Sequence, residues 1–350
     1  MENDTFTDPE WINQFKTGKD FWRNFLVATN QHGLDAWAHG VISKPVLVSC
    51  FPPAILQMLE QRICGQASRI ALLLFAFEES ARIFRQANIP FVPLKGVVML
   101  HQQPEWFEKR LFSDIDLLVS EEHARRGWEL LKTTGFSSAP FKGRAHERWV
   151  GELHHHYPPL YSGVVSIEIH TRLAPTEAFS WSRNFMEAAR TKSETNGYNW
   201  PDPIHHLLFL ISHLDRHGSH GQFQLRLARD IALLAGPDRG KWKELARLAR
   251  QYGQITALQR VYPLICRIWQ WSDLFQVAVH TEPPVKTGQS PPLLPTGRIP
   301  GRLNRLKLLL NMALPGRDYM LYIHPGMNPA LLPWYHIKRI VKGMVRRLLF

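Results

Sequence analysis

The sequence predicts an α+β protein: a small mixed β-sheet core flanked by N- and C-terminal helical bodies. Three observations carry that expectation. Apolar residues recur at helical spacing from 18 to 38 and from 52 to 88. Between 89 and 180 the pattern changes to short, partly β-branched or aromatic segments with two-residue alternation. From about 203 to 275 helical spacing returns.

The elements follow in order. "PPAILQMLEQRICGQASRIALLLFAFEESARIFRQA" opens on proline and has Gly65 as its one internal breaker, which fits a long helix. "IPFVPLKG" suits a buried strand closed by a tight turn at Gly96, with a short helix in "VVMLHQQ". "DIDLLVS" reads as a second strand. In "EEHARRGWELLKTTGF" Ser120 is placed to cap a helix, Glu121 and Glu122 favour its first turn, and Gly135 stops it. "YSGVVSIEIHTRL" reads as a further strand. Four helical stretches fill 203–275, and six prolines between 283 and 300 mark a linker. The expected organisation is a helical region at 1–88, the core at 89–180, a helical domain at 181–280, a Pro-rich linker at 281–301 and a basic helical tail at 302–350.

Bulk properties narrow the class. With 350 residues, 45% hydrophobic and 21% charged, the chain has the composition of a globular protein. The polar opening "MENDTFTDPE" lacks a signal-peptide pattern, and the apolar run "IALLLFAF" falls far short of the ~20 residues a membrane span needs. Cys50, Cys64 and Cys266 are too scattered for a disulfide framework or a paired metal motif. The expected location is cytoplasmic. The net charge is +12, but residues 301–350 carry nine Lys/Arg against Asp318 alone, so most of the excess sits in the tail.

The chemistry concentrates in "RLFSDIDLLVS". Side chains two apart on a strand share a face, so Asp114 and Asp116 point together while Ile115 and Leu117 point away. Two like charges side by side are unfavourable unless something positive sits between them, so the pair either caps a turn in water or holds a cation. "SIEIH" supplies a third acid, Glu168, with His170 on its face. Three acids on neighbouring strands can hold two divalent cations ~3.5–4 Å apart, an arrangement suited to in-line phosphoryl displacement. Mg²⁺ is the expected ion, with Mn²⁺ as an alternative. A glycine turn opening a helix presents N–H groups to phosphate, and Lys95 beside Gly96 would add positive charge.

These residues, "LKG…R…SDIDLLV…IEIH", resemble the uncharacterised nucleotidyltransferase family of the DNA polymerase β-type superfamily. "HHHYPPLY", "HLLFLISHLDRHG" and "LRLARDIALL" are also similar to it, and the resemblance covers roughly 50–275. "PLKG" stands where the superfamily more often has Gly-Ser, a departure that removes a phosphate-binding hydroxyl. The resemblance implies Mg²⁺-dependent transfer of a nucleoside monophosphate from an NTP to an acceptor, with release of pyrophosphate. It makes Asp114, Asp116 and Glu168 the catalytic, metal-holding acids. Lys95 and Gly96 would face the triphosphate, and Arg110 a phosphate or the acids. The partners would be an NTP and an unassigned acceptor: a small molecule, a peptide or a protein.

Among the histidines, His156 and His170 are read as lining the site, and His154 and His155 as structural. His206 and His213, seven apart on one helix face, are read as satisfied core histidines, and Arg226 with Asp230 as a helix ion pair. From Pro333, Ile337, Ile340, Val341, Met344, Val345 and Leu348 form an apolar stripe beside basic residues. A helix docked on its own domain is the expectation, with an acidic partner, peptide or membrane surface as alternatives. Two other function classes stay open: a non-catalytic nucleotide-binding or regulatory protein, and a nucleic-acid-binding protein using the tail.

Overall fold

A computed structural model of the chain describes residues 19–49, 51–102, 112–152, 154–175, 179–191, 198–219, 223–271 and 301–349. It is a mixed helix-and-sheet protein with one five-stranded sheet, as the sequence predicts. Arg110 and nearly all of the proline-rich 281–301 stretch lie outside the described residues.

The chain opens with α1 (Lys19–His32), α2 (Asp35–Ile42), the one-turn α3 (Pro45–Val48) and the 34-residue α4 (Pro53–Gln86). Leu26, Ala38, Ile42, Ile55 and Leu59 form a small core of their own here. Beneath it the buried Asp35 accepts hydrogen bonds from Thr29, Arg62 and Gln66, so its charge is paired as burial requires. The later turns of α4 instead join the main core through Leu73, Phe77, Ala81 and Phe84.

The sheet follows. β1 (Phe91–Leu94) leads directly into α5 (Lys95–Gln102), then come β2 (Ile115–Val119), α6 (Glu121–Thr133), the two-residue β3 (Ser137–Ser138), α7 (Arg144–Glu152), β4 (Leu160–Ser162) and β5 (Val165–His170). The strand order is β1-β2-β5-β4-β3. Only the β2–β5 pair is parallel, in a register that sets Asp116 against Glu168 and Leu118 against His170. Both β1 and β2 are buried along their whole length, which explains their nearly unbroken apolar sequences.

Two local readings change. The segment "YSGVVSIEIH" is a hairpin rather than one strand, because Gly163 takes φ 56° and turns the chain between β4 and β5. The polar stretch after β3 holds α7, whose N-terminal amides are capped from far along the chain. Asn311 Oδ1 accepts from Ala145 N at 3.0 Å and from His146 N at 3.3 Å.

The helical body comprises α8 (Phe179–Thr191), α9 (Pro203–Ser219), α10 (Leu225–Ala235), α11 (Arg239–Gln251) and α12 (Ile255–Ile268). Its Leu208, Ile211, Ile231, Trp242 and Ile265 belong to the same buried cluster as the strands. Beyond residue 300 come α13 (Arg302–Ala313), α14 (Arg317–Ile323), a 3₁₀ turn at Pro329–Leu331 and α15 (Leu332–Leu349). Arg339 of α15 donates to the carbonyls of Met312 and Ala313, closing the end of α13. Of the α15 apolar stripe, Ile337 and Val341 are more than half exposed and Ile340 is half-buried, while the side chains of Met344, Val345 and Leu348 lie outside the described set. Among the described residues, no helix is long and apolar enough to cross a membrane.

Candidate functional site

The site lies where β2 and β5 present polar side chains beside the start of α5. Asp116 is fully buried in mid-strand, a position an isolated carboxylate cannot occupy without partners. It has two. Lys95 Nζ donates to Asp116 Oδ1 at 2.7 Å, and His170 Nε2 donates to the same oxygen at 2.8 Å. His170 Nε2 also stands 3.4 Å from Glu168 Oε2, so one imidazole spans the two acids that the parallel register sets side by side. Asp114, two residues back, accepts from Ser113 Oγ at 3.0 Å.

Charge decides how these groups sit. Burial would raise the Asp116 pKa, but Lys95 and His170 outweigh it and hold the carboxyl ionised well below the usual range. Glu168 is likewise lowered: burial opposes ionisation, and the His170 hydrogen bond overcomes it. The pKa of Asp114 moves the other way, raised first by the charge of Asp116 and then by burial. His170 is raised despite its burial, because both carboxylates accept from it. The cluster therefore carries more negative charge than Lys95 compensates.

Lys95 is held by its backbone as well. It adopts φ 51°, a left-handed conformation that costs a non-glycine residue ~1–2 kcal/mol. Its N–H donates to His206 Nε2 at 3.2 Å, across from α9. This twist turns the chain from β1 into α5 and sends the ammonium group to the acids. Gly96 follows, and there the reason for glycine is packing: a Cβ would lie 2.5 Å from Phe112 Cγ.

The histidines crowd round the same corner. His156 forms a β-bridge with His170, their ring centroids 5.4 Å apart. His155 stands 5.8 Å from His170, and His154 completes a contiguous group. From α9, the half-buried His213 receives Arg216 Nη2 at 2.7 Å and meets His217 at 3.1 Å. Burial, then Lys95 and Arg216, push the His213 pKa far below its ordinary value. This face of α9 was read as plain core. The spacing His213, Arg216, His217 puts three polar groups on one helical stripe, which was the available signal.

The side chains suit a divalent cation. Ligand atoms of Asp116, Glu168 and His170 all lie within 4.8 Å of one another. Asp116 Oδ2 is buried and has no hydrogen-bond partner among the described residues, a costly state for a carboxylate oxygen unless something else binds it. Asp116, Glu168 and His170 form the close group, Lys95 joins it through Asp116, and Asp114 stands outside the close set but feels the charges of Asp116, Lys95 and Glu168; Arg110 falls outside the described residues.

No curated protein matches the chain. A family described as "uncharacterised nucleotidyltransferase" matches residues 19–269, a span that contains every residue of the site. The buried acids, the strained turn ahead of them and this match place the chain in that nucleotidyltransferase family.

Proposed function

We propose that the protein is a Mg²⁺-dependent enzyme that transfers a nucleoside monophosphate from an NTP to a hydroxyl- or phosphate-bearing acceptor and releases pyrophosphate. The observation that carries this reading is the parallel β2–β5 register. It sets Asp116 beside Glu168, with His170 spanning both.

Asp114, Asp116 and Glu168 would hold the metal, two ions in the full site, with Mn²⁺ as a substitute. When bound, the metal would neutralise phosphate charge and lower the cost of charge build-up at the α-phosphorus. The residues of the chain supply the rest. Lys95 and the amide groups opening α5 meet the triphosphate. Glu168, kept ionised by His170, takes the proton of the acceptor hydroxyl as its oxygen attacks the α-phosphorus. The bond from that phosphorus to the bridging oxygen breaks, and pyrophosphate leaves with the electron pair. His156 lines the nucleotide side.

A second reading has one specific observation in its favour. Lys95 Nζ already pairs with Asp116 Oδ1, at a position where the superfamily more often has Gly-Ser, so one acid oxygen is neutralised without a metal. The expected location is cytoplasmic, and the basic C-terminal helices would meet an acidic partner, a peptide or a membrane surface.

The experiment supplies α-labelled NTPs with Mg²⁺ or Mn²⁺ and candidate acceptors, and follows pyrophosphate. Release that disappears in Asp116→Asn supports transfer. Saturable nucleotide binding without release favours the binding-only reading. Binding to nucleic acid that needs residues 301–350, without nucleotide turnover, would replace both.

A further inference from the structure

We propose that His154, His155 and His156 form a nitrogen-donor site for a transition-metal ion of the zinc type, separate from the acids of the nucleotidyl-transfer site.

The three imidazoles come from consecutive residues, and a bend at His155 lets them converge. One ring nitrogen from each lies within 4.8 Å of the others. Their ring centroids are 4.4–4.7 Å apart. A tetrahedral zinc centre with bonds of ~2.1 Å wants its nitrogens about 3.4 Å apart, so modest ring rotations close the set.

The hydrogen bonds behind the rings matter more than the spacing. His154 Nδ1 lies 2.6 Å from the carbonyl oxygen of His156, and His156 Nδ1 lies 2.7 Å from that of Tyr157. A carbonyl can only accept, so these short contacts put the proton on each Nδ1, and the 3.4 Å approach of His156 N to His154 Nδ1 is the weaker competitor. Each Nε2 is then left with its lone pair outward. This is the outer-sphere arrangement that fixes tautomer and ring direction in metal-ligating histidines. His155 Nδ1 is buried and has no partner among the described residues, which is costly for a polar nitrogen in the absence of a ligand.

The backbone under the rings is pinned. The carbonyl of His155 accepts from Thr171 N at 2.8 Å and from Arg172 N at 3.2 Å, and that of His154 accepts from Thr171 Oγ1 at 3.2 Å. The donors therefore ride on the end of β5 rather than on a loose loop, as a preorganised site requires. Neutral imidazoles favour zinc, copper, nickel or cobalt over magnesium, which prefers oxygen. His170 is committed to Asp116 and Glu168, so the fourth position would be left to water, as in zinc sites with three protein ligands.

The test uses the full chain, stripped of metal and titrated with Co²⁺ in the absence of nucleotide. The expected result is one equivalent with the intense visible absorption of a four-coordinate nitrogen-rich site, bleached by Zn²⁺ and distinct from any weakly absorbing Co²⁺ on the oxygen-rich acids. His154→Gln and His156→Gln should each weaken binding at least tenfold, while Asp116→Asn leaves it unchanged. Anomalous diffraction from a Zn²⁺-soaked wild-type crystal gives a measurement independent of variant folding. No Co²⁺ spectrum, or a spectrum abolished by Asp116→Asn and kept by His154→Gln, would overturn the proposal. Because no turnover is measured, failure here leaves the nucleotidyl-transfer reading untouched.

Discussion

Lys95 reaches Asp116 at 2.7 Å from a backbone held in the left-handed region. The strain of the turn and the charge of the buried acid are thus settled by one residue. Without a divalent cation, the ammonium group is the main charge that lets Asp116 stay ionised inside the sheet.

Replacing Lys95 by Met therefore leaves a buried carboxylate with His170 as its remaining partner among the described residues. The expected loss is about 3 kcal/mol of folding stability. Mn²⁺ should restore more melting temperature to this variant than it adds to the wild type, because the ion supplies the missing charge. Differential scanning fluorimetry with and without Mn²⁺ checks it; a Lys95→Met protein indifferent to Mn²⁺ would argue against a cation among these acids.

Asp114→Asn should separate stability from function. The folded-state pKa of Asp114 is raised, chiefly by Asp116. The folded chain then binds its proton more tightly than the unfolded chain does, so stability falls as pH rises through that window. Removing the charge should stabilise the metal-free protein by about 0.5–1.5 kcal/mol at pH 7 while lowering transfer on the order of a thousandfold. Urea midpoints and labelled-NTP turnover measure the two effects.

Gly96→Ala puts a methyl group into Phe112 and should cost ~1–3 kcal/mol. In a Phe112→Leu background the same change should cost less, since the ring it strikes has gone. A double-mutant cycle from chemical denaturation gives the coupling.

His146 gives a pH signature away from the acids. Its Nδ1 accepts from Lys142 N at 3.2 Å, which protonation would prevent. Burial, with smaller effects from Lys142 and His154, lowers its pKa to about 4. Between pH 6.5 and 4 the unfolded state binds the extra proton, so this contribution is complete above the unfolded-state value and fades as pH falls. His146→Gln keeps an acceptor without titrating and should flatten the loss of stability between pH 7 and 5, read from urea midpoints.

Much of the fold was legible because its signals are local. The alternation in "DIDLLV" places Asp114 and Asp116 on one face before any partner strand is known, and Ser120 with Glu121 and Glu122 marks the start of α6, although the Ser120 hydroxyl pairs with His123 Nδ1 rather than capping a backbone amide. Less was legible where distant segments decide. Pairing Asp116 with Glu168 depends on the parallel register, which a single strand does not encode. Gly163 splits the β4–β5 hairpin, and its Ser-Gly turn signal was passed over within an apolar run. The helix α7 escaped notice because part of its capping comes from Asn311, some 165 residues on. The role of His206 as acceptor for Lys95 N likewise exists only once α9 lies against the β1–α5 turn.

That reach of Asn311 has a consequence for where this protein can be cut. Its amide sits where a Cβ on Gly143 would stand, 2.5 Å from Oδ1, and Lys142 O receives Gly316 N at 2.8 Å. A fragment ending at residue 271 would keep all three acids of the site yet give up this clasp, leaving a hollow at Gly143 and two amides without their acceptor, a forfeit of about 1 kcal/mol for the cap alone. The stretch matched by the family and the stretch tied together through Asn311 are therefore different lengths of the same polypeptide.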